Sequence, residues 1–365
     1  MHSFVRGKWA ALLGLVAIAL TVGLLAVRSE TLQDAIAERI IERRLTERQH
    51  ALLEPNALRA LVCGSSSPMP HPTREKSCIV VFAANRFWVV DTGPGSWNTL
   101  GLLGLDPAPI GAVLLTHFHS DHIGDLGEFN LNTWTGGRSG SLDVFGPPGV
   151  DRVVAGFNEA YALDASYRTA HHGAELMPTE SSQMRARVVL PPSDGDPDAL
   201  VFEGEGLTIT AFPVNHDPVR PAYGYRFDYL GRSMVISGDA RPSPTLVAAA
   251  KGADVLFHEA QANHVVRQIN AVAREVNRPR IAKITEDIQS YHTTPTEAAE
   301  IANEAGVGLL VMVHLTPPPP AKLVERIFTR GVTDIREDDW LVADDGLLVT
   351  LPKDSSEIEV TNLLD

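Results

Sequence analysis

Ala112-Val113-Leu114-Leu115-Thr116-His117-Phe118-His119-Ser120-Asp121-His122 is the stretch that decides how this chain is read. A short apolar run, the mark of a buried strand, passes directly into four candidate metal ligands within six positions. Imidazole and carboxylate donors suit a borderline divalent ion such as zinc, and a catalytic zinc site keeps one position open for water. A single histidine is ordinarily a structural or surface residue. Four donors packed as His-x-His-x-Asp-His at a strand end read as a metal centre.

A centre fed by one strand end should recruit donors from others. Leu207–Val214 is followed by His216, Ser233–Gly238 delivers Asp239, and Leu309–Val313 delivers His314. Seven donors are too many for one tetrahedral ion. The reading is therefore of two ions: His117, His119 and His216 hold the first, Asp121, His122 and His314 the second, and Asp239 bridges them. Two Zn2+ are expected, with manganese or iron as alternatives.

Beyond Pro55, short apolar runs alternate with Gly, Pro and Asp, the pattern of strands and turns. Strands are predicted at Leu58–Cys63, Cys78–Ala83, Phe87–Asp91, Ala112–Thr116, Leu142–Phe145, Leu207–Val214, Ala222–Tyr229, Ser233–Ser237, Val255–His258 and Gly308–His314. Helices are predicted at Asp151–Leu163, Pro244–Lys251, Gln261–Asn277 and Pro295–Ala305. The last has Thr294 as N-cap, Pro295 at the first helical position and Glu297 at the third. Two β-rich halves with helices outside predict a layered α/β sandwich.

Ahead of this domain, Arg6 and Lys8 precede an uncharged stretch, Trp9–Val27, closed by Arg28. Its length suits a bilayer-crossing helix better than a cleaved secretory signal. Residues 1–28 are accordingly expected to be a membrane anchor or signal, with the catalytic domain outside the cytoplasm, in the periplasm of a bacterium. Leu32, Ile36, Ile40, Ile41, Leu45 and Leu52 recur at helical spacing among Glu and Arg, so residues 29–55 are expected to form an amphipathic connecting helix. Residues 56–365 are expected to form one domain that carries the metal-ligand set.

Of the 365 residues, 44% are hydrophobic and 21% charged, a composition typical of folded globular proteins. Residues 1–54 carry 7 of the 31 Lys/Arg and 6 of the 45 Asp/Glu, which leaves 24 against 39, a net of −15. So acidic a surface opposes phosphate backbones, and nucleic acid is expected to be an unlikely substrate. A dimer is left open. Cys63 and Cys78 lie 15 apart on two apolar runs; two separate buried thiols are expected over a disulfide.

The ordered set His-x-His-x-Asp-His, then His216, Asp239 and His314, resembles the metallo-β-lactamase superfamily over residues 58–350. That resemblance implies an αββα sandwich with the metals at one edge of two sheets. Ser237-Gly238-Asp239-Ala240-Arg241-Pro242, then Phe257-His258-Glu259-Ala260, then His292-Thr293-Thr294 are similar to the ribonuclease Z and AtsA-type arylsulfatase branch, as are Cys63-Gly64-Ser65-Ser66-Ser67-Pro68 and Asp91-Thr92-Gly93. The implied activity is hydrolysis of phosphodiester or sulfate-ester bonds, with a small-molecule ester as the expected substrate, by a hydroxide between the metals. The alternatives are a tRNA 3′-processing endonuclease, a lactonase or β-lactamase, and a non-catalytic zinc-binding membrane protein. The tRNA-processing members insert a flexible, often basic arm before the Asp motif, whereas only 22 residues separate His216 from Asp239 here. On that ground tRNA is expected to be a poor substrate.

His292 competes with His314 for the final ligand position. His314 ends an apolar strand, so it is assigned to metal. His292 is left as a general acid oriented by Glu259. Asp121, which doubles as a metal ligand, His292 and Glu259 are the candidate catalytic residues. Asp91 is expected either to hold a ligand histidine by its other ring nitrogen or to cap a helix or turn. His171 and His172, with Tyr161, Tyr167 and Arg168, fall in a polar segment read as surface or lid.

Overall fold

Side-chain alternation along the strands sorts the domain into layers. A computed structural model describes residues 27–46, 50–191 and 198–364. The strands run β1 (Ala57–Gly64), β2 (Cys78–Ala83), β3 (Arg86–Val90), β4 (Ile110–Leu114), β5 (Leu142–Gly146), β6 (Met184–Val188), β7 (Ala199–Gly204), β8 (Leu207–His216), β9 (Val219–Tyr229), β10 (Arg232–Ile236), β11 (Val255–Gln261), β12 (Leu309–Thr316), β13 (Trp340–Val342), β14 (Leu347–Pro352) and β15 (Glu359–Asn362). One sheet has the order β15-β14-β1-β2-β3-β4-β5-β6, the other β13-β12-β11-β10-β9-β8-β7.

Leu58, Ala60 and Val62 of β1 and Ile79 and Val81 of β2 point inward to meet Ile209, Tyr225, Phe227 and Met234 of the second sheet in one buried core. The residues between them point outward. Leu61, Cys63, Val80 and Phe82 pack with Leu100, Leu126, Phe129 and Val150, while Val235, Leu256, Leu310 and Met312 pack with Leu246, Ala298, Ile301 and Phe328. Those partners sit on helices, so the order of layers is helix, sheet, sheet, helix. Each fully buried Leu or Phe contributes about 1.5–3 kcal/mol.

The helices are α1 (Glu30–Thr46), α2 (Ser96–Leu102), α3 (Ser120–Ile123), α4 (Leu126–Thr135), α5 (Val150–His172), α6 (Pro244–Ala250), α7 (Asn263–Glu275), α8 (Pro279–Asp287), α9 (Pro295–Ala305) and α10 (Lys322–Phe328). The chain divides into two compact units, Met1–Arg48 and Gln49–Asp365. In the first, α1 falls within the expected connecting helix and ends at Thr46, with Leu32, Ile36, Ile40 and Ile41 exposed.

The expectations need three adjustments here. Helix α5 runs nine residues past Leu163, because nothing between Asp164 and His172 breaks a helix and Gly173 is its C-cap. His171, His172, Tyr167 and Arg168 therefore stand on its last turns. Helix α8 was not foreseen; Pro279 opens it, a position where the missing N–H costs nothing. Cys63 and Cys78 form a disulfide between the antiparallel neighbours β1 and β2, correcting the expectation of separate thiols. Two cysteines near paired ends of adjacent strands meet at bonding distance, which the spacing alone did not reveal.

Candidate metal centre

Strands β10, β11 and β12 are mutually parallel, so their carboxyl ends, at Asp239, Glu259 and His314, open on one edge. In the other sheet β3 and β4 are parallel and end at Asp91 and the His117–His122 turn. His314 is the extra residue of a bulge: Glu259 pairs with Val313 and Ala260 with Leu315. Its backbone sits at φ 45°, in the left-handed region that a side chain rarely adopts. Such strain persists only where the surroundings impose it, and here it turns the imidazole out of strand alternation.

The seven predicted ligands come together. His117, His119, His216 and Asp239 each place one donor atom within 4.8 Å of the others, and so do Asp121, His122 and His314. Asp239 faces both groups: Oδ2 lies 3.8 Å from His117 Nε2 and 3.7 Å from His216 Nε2, and Oδ1 lies 3.4 Å from both His122 Nε2 and His314 Nε2. His117 Nε2 and His119 Nδ1 approach to 2.9 Å, and His314 Nε2 lies 3.1 Å from Asp121 Oδ2.

This donor set fits divalent metal. Nε2 of His122, Nε2 of His216 and Oδ1 of Asp239 are buried without a hydrogen-bond partner, and all three point into the cluster. Unpartnered buried polar atoms are costly, and a shared cation relieves all of them together. The electrostatics agree. Burial holds His117 well below the usual imidazole range. Burial also opposes charge on His122, yet Asp239 and Asp91 push it well above that range. Burial opposes ionisation of Asp239, and His314 and His122 nevertheless hold it well below the carboxylate range. Two buried carboxylates thus demand positive charge, which protons supply when no cation does.

Supporting contacts orient the ligands. Asp91 Oδ2 accepts from His122 Nδ1 at 2.7 Å, as the sequence suggested, while Asp91 also accepts from Thr116 N and Thr116 Oγ1, each at 2.8 Å. His216 Nδ1 lies 3.1 Å from the Tyr291 carbonyl, which therefore accepts its proton. Sequence reading missed this last contact, because any residue type supplies a carbonyl. Outer partners of this kind fix the tautomer of a ligating histidine.

His292 Nδ1 lies 2.8 Å from Glu259 Oε1, which also accepts from Ala240 N at 2.9 Å. Burial opposes charge on His292, but Glu259 dominates and pushes its pKa up to about 9. Asp239, His292 and His314 also place donor atoms within 4.8 Å of one another, so this imidazole reaches the centre. His171, His172, Tyr161, Tyr167 and Arg168 do not join the cluster; Tyr161 donates to Glu128 at 2.8 Å and Arg168 to Asp164 at 2.7 Å.

A family model described as the beta-lactamase superfamily domain matches residues 86–315. The chain belongs to the metallo-β-lactamase superfamily. Among curated relatives of this superfamily member, ribonuclease Z of Mycobacterium bovis (strain BCG / Pasteur 1173P2) is 35% identical over 263 residues, covering 71% of this chain and 86% of the relative. Ribonuclease Z of Mycobacterium avium (strain 104) is 34% identical over 257 residues, covering 70% and 84%. Among solved structures, the metallo-beta-lactamase fold protein YhfI from Bacillus subtilis aligns with TM-score 0.57 at 19% identity, covering 81% of this chain and 100% of that one. The short form of human tRNase Z aligns with TM-score 0.55 at 20% identity, covering 80% and 99%. Both support the fold.

Two expectations need correction. The acidic surface does not exclude nucleic acid, since proteins this similar carry the name ribonuclease Z. Net charge sums a whole surface, whereas phosphate contacts are local. The expected membrane-anchored or exported placement has no support either. Among the described residues no helix is long and apolar enough to cross a membrane, and Trp9–Val27, apart from Val27, lies outside them. A stretch of sufficient length meets only one requirement of a span.

Proposed function

We propose that this protein hydrolyses phosphodiester bonds of RNA at a centre of two divalent metals, zinc by donor type, with precursor tRNA the first substrate to test. The observation that carries the reading is Asp239, whose two oxygens face two separate groups of ligands. The names of the curated relatives support RNA as the substrate class.

His117, His119 and His216 would hold one ion, Asp121, His122 and His314 the other, and Asp239 both. Bound there, divalent metal supplies Lewis acidity and water ionised near neutral pH. The protein does the rest. Asp91 and the Tyr291 carbonyl hold His122 and His216 in one tautomer and orientation. Glu259 holds His292 by Nδ1, so the imidazolium keeps a proton on Nε2 for the departing oxygen. Glu259 is itself fixed by the Ala240 N–H, one residue from Asp239, which ties the acid to the bridging ligand.

The zinc-loaded full-length protein should release a 3′ trailer from precursor tRNA and hydrolyse bis-p-nitrophenyl phosphate, and chelation should abolish both. Turnover of aryl sulfates or lactones with no cleavage of either phosphodiester would overturn the reading.

A further inference from the structure

Between Glu259 and His292 the chain makes an excursion that neither partner requires. Helices α7 and α8 fold back on each other as a hairpin whose root is pinned: Gln261 Nε2 donates to the Ile288 carbonyl at 2.8 Å and Asn263 Nδ2 to the Gln289 carbonyl at 3.3 Å. Asn270 Nδ2 crosses to Thr285 Oγ1 at 3.0 Å. The root of the hairpin thus adjoins the loop of the proposed acid, while the turn between α7 and α8 lies the length of α7 away, about 20 Å at 1.5 Å per residue.

Residues 263–290 carry five Lys/Arg (Arg267, Arg274, Arg278, Arg280, Lys283) against three Asp/Glu (Glu275, Glu286, Asp287), a net of +2 in a domain whose net is −15. Three of these cations, Arg274, Arg278 and Lys283, line one cleft with Asn277, Pro279 and Glu286. Glu286 pairs with Arg274 at 2.8 Å, and Lys283 pairs with Asp287. Arg278 is exposed and makes no ion pair among the described residues. The cleft has a surplus of positive charge in a concave setting.

We infer that this cleft binds a phosphate of an RNA strand whose scissile bond lies at the metal centre. The inference rests on the phosphodiesterase reading and names where such a substrate would be gripped. Strands β9 and β10 take up 16 of the 22 residues between His216 and Asp239 and the tight turns beside them the rest, so no arm projects there. An acidic domain that acts on a polyanion needs local clusters of cations along the path of the strand, and the turn of the hairpin offers one a helix length from the centre. Val272, Val276, Ile281 and Ile284 are exposed on the same hairpin and would also suit a lipid surface. The recess favours the strand: three cations converge on one concavity, where a bilayer would meet a flat basic face.

The test uses the full-length protein and a fluorescein-labelled single-stranded RNA, with anisotropy followed across a salt series. Arg278→Ala with Lys283→Ala should weaken binding about tenfold and flatten the salt dependence by up to about 1.4 in logarithmic slope, about 0.7 for each cation. Glu286→Gln should tighten binding, a change that misfolding does not imitate. RNA affinity and salt slope unmoved in both variants would overturn the inference, as would variants that lose only binding to phosphatidylglycerol vesicles. RNA held through the hairpin yet left uncut would sink the phosphodiesterase reading alone. RNA cut by the variants at unchanged KM would sink the hairpin site alone.

Discussion

Two regions build the candidate centre in opposite ways. The His117–His122 turn is local: four donors in six positions, set by one strand end and a short helix. The Glu259–His292 region is distant in sequence: two side chains 33 residues apart meet at 2.8 Å only because a parallel strand, a helical hairpin and a capped helix bring them together. The first region fits cations by chemistry and tolerates little change of residue type. The second depends on packing, so its function should degrade by steps.

The largest expected effect lies where the two regions touch. Asp239→Ala should strip most of both ions and reduce turnover to background, because it removes the carboxylate that faces each ligand group. Metal analysis of the full-length protein checks this. One firmly bound ion retained by the variant would mean that the groups are independent and that Asp239 does not bridge.

His292→Ala should keep both ions and lose about 10²–10⁴ in rate on RNA and alkyl diesters, and far less on p-nitrophenyl esters, whose leaving group departs unaided. Glu259→Ala should show a weaker form of this bias, and the double variant should cost little more than His292→Ala. The pH profile carries the sign: with the imidazole raised to about 9, the protonated acid persists through neutral pH and is lost as pH rises toward that value. Bound cations lower the limb somewhat, and His292→Ala should remove it. Metal loss from His292→Ala would exchange its role with that of His314.

How much of this was legible in the sequence follows the same division. The candidate ligands were legible as donors that follow apolar runs such as Leu309–Val313, and all seven side chains converge. The layering was legible too, since runs such as Leu58–Cys63 are apolar on both faces, as strands covered on both sides are, and helical stretches fall between them. The bulge at His314 was hidden, because it is a register difference between β11 and β12 and no residue type marks it. The Tyr291 carbonyl was hidden for a similar reason, as backbone groups leave no trace in side-chain identity. The disulfide depends on how β1 and β2 pair, and the helical hairpin on tertiary packing of α8, whose propensity alone is weak.

Support for the local region should respond in the intermediate range. Asp91→Asn keeps the shape but removes the charge that accepts from His122 Nδ1, and a change of this kind costs about 10–100-fold in metal affinity. Competition with a chelator measures it. Unchanged affinity would reduce Asp91 to a brace for Thr116, to which it also bonds. Replacing Cys63 and Cys78 by serine should lower stability by about 3 kcal/mol, from the loop closure that a 15-residue separation implies, with metal content intact.

The smallest effect should come from Thr294, two residues beyond His292. Its side chain accepts from Glu297 N at 3.3 Å while Glu297 Oε2 accepts from Thr294 N at 2.8 Å, a reciprocal cap that fixes where α9 begins. Thr293 is tied down just before it, donating to the Ala240 carbonyl and accepting from Gln261 N at 2.8 Å. The loop that carries His292 is thus anchored on one side by the helix cap and on the other by the hairpin root. Thr294→Ala removes one anchor, and the loss of such a cap costs about 1 kcal/mol. The outcome should be a small fall in melting temperature, full metal content, and a rate loss of a few fold that is confined to substrates needing a protonated leaving group. Equal losses on aryl and alkyl esters would show that the helix start does not position His292, and that the hydrogen bond from Glu259 suffices.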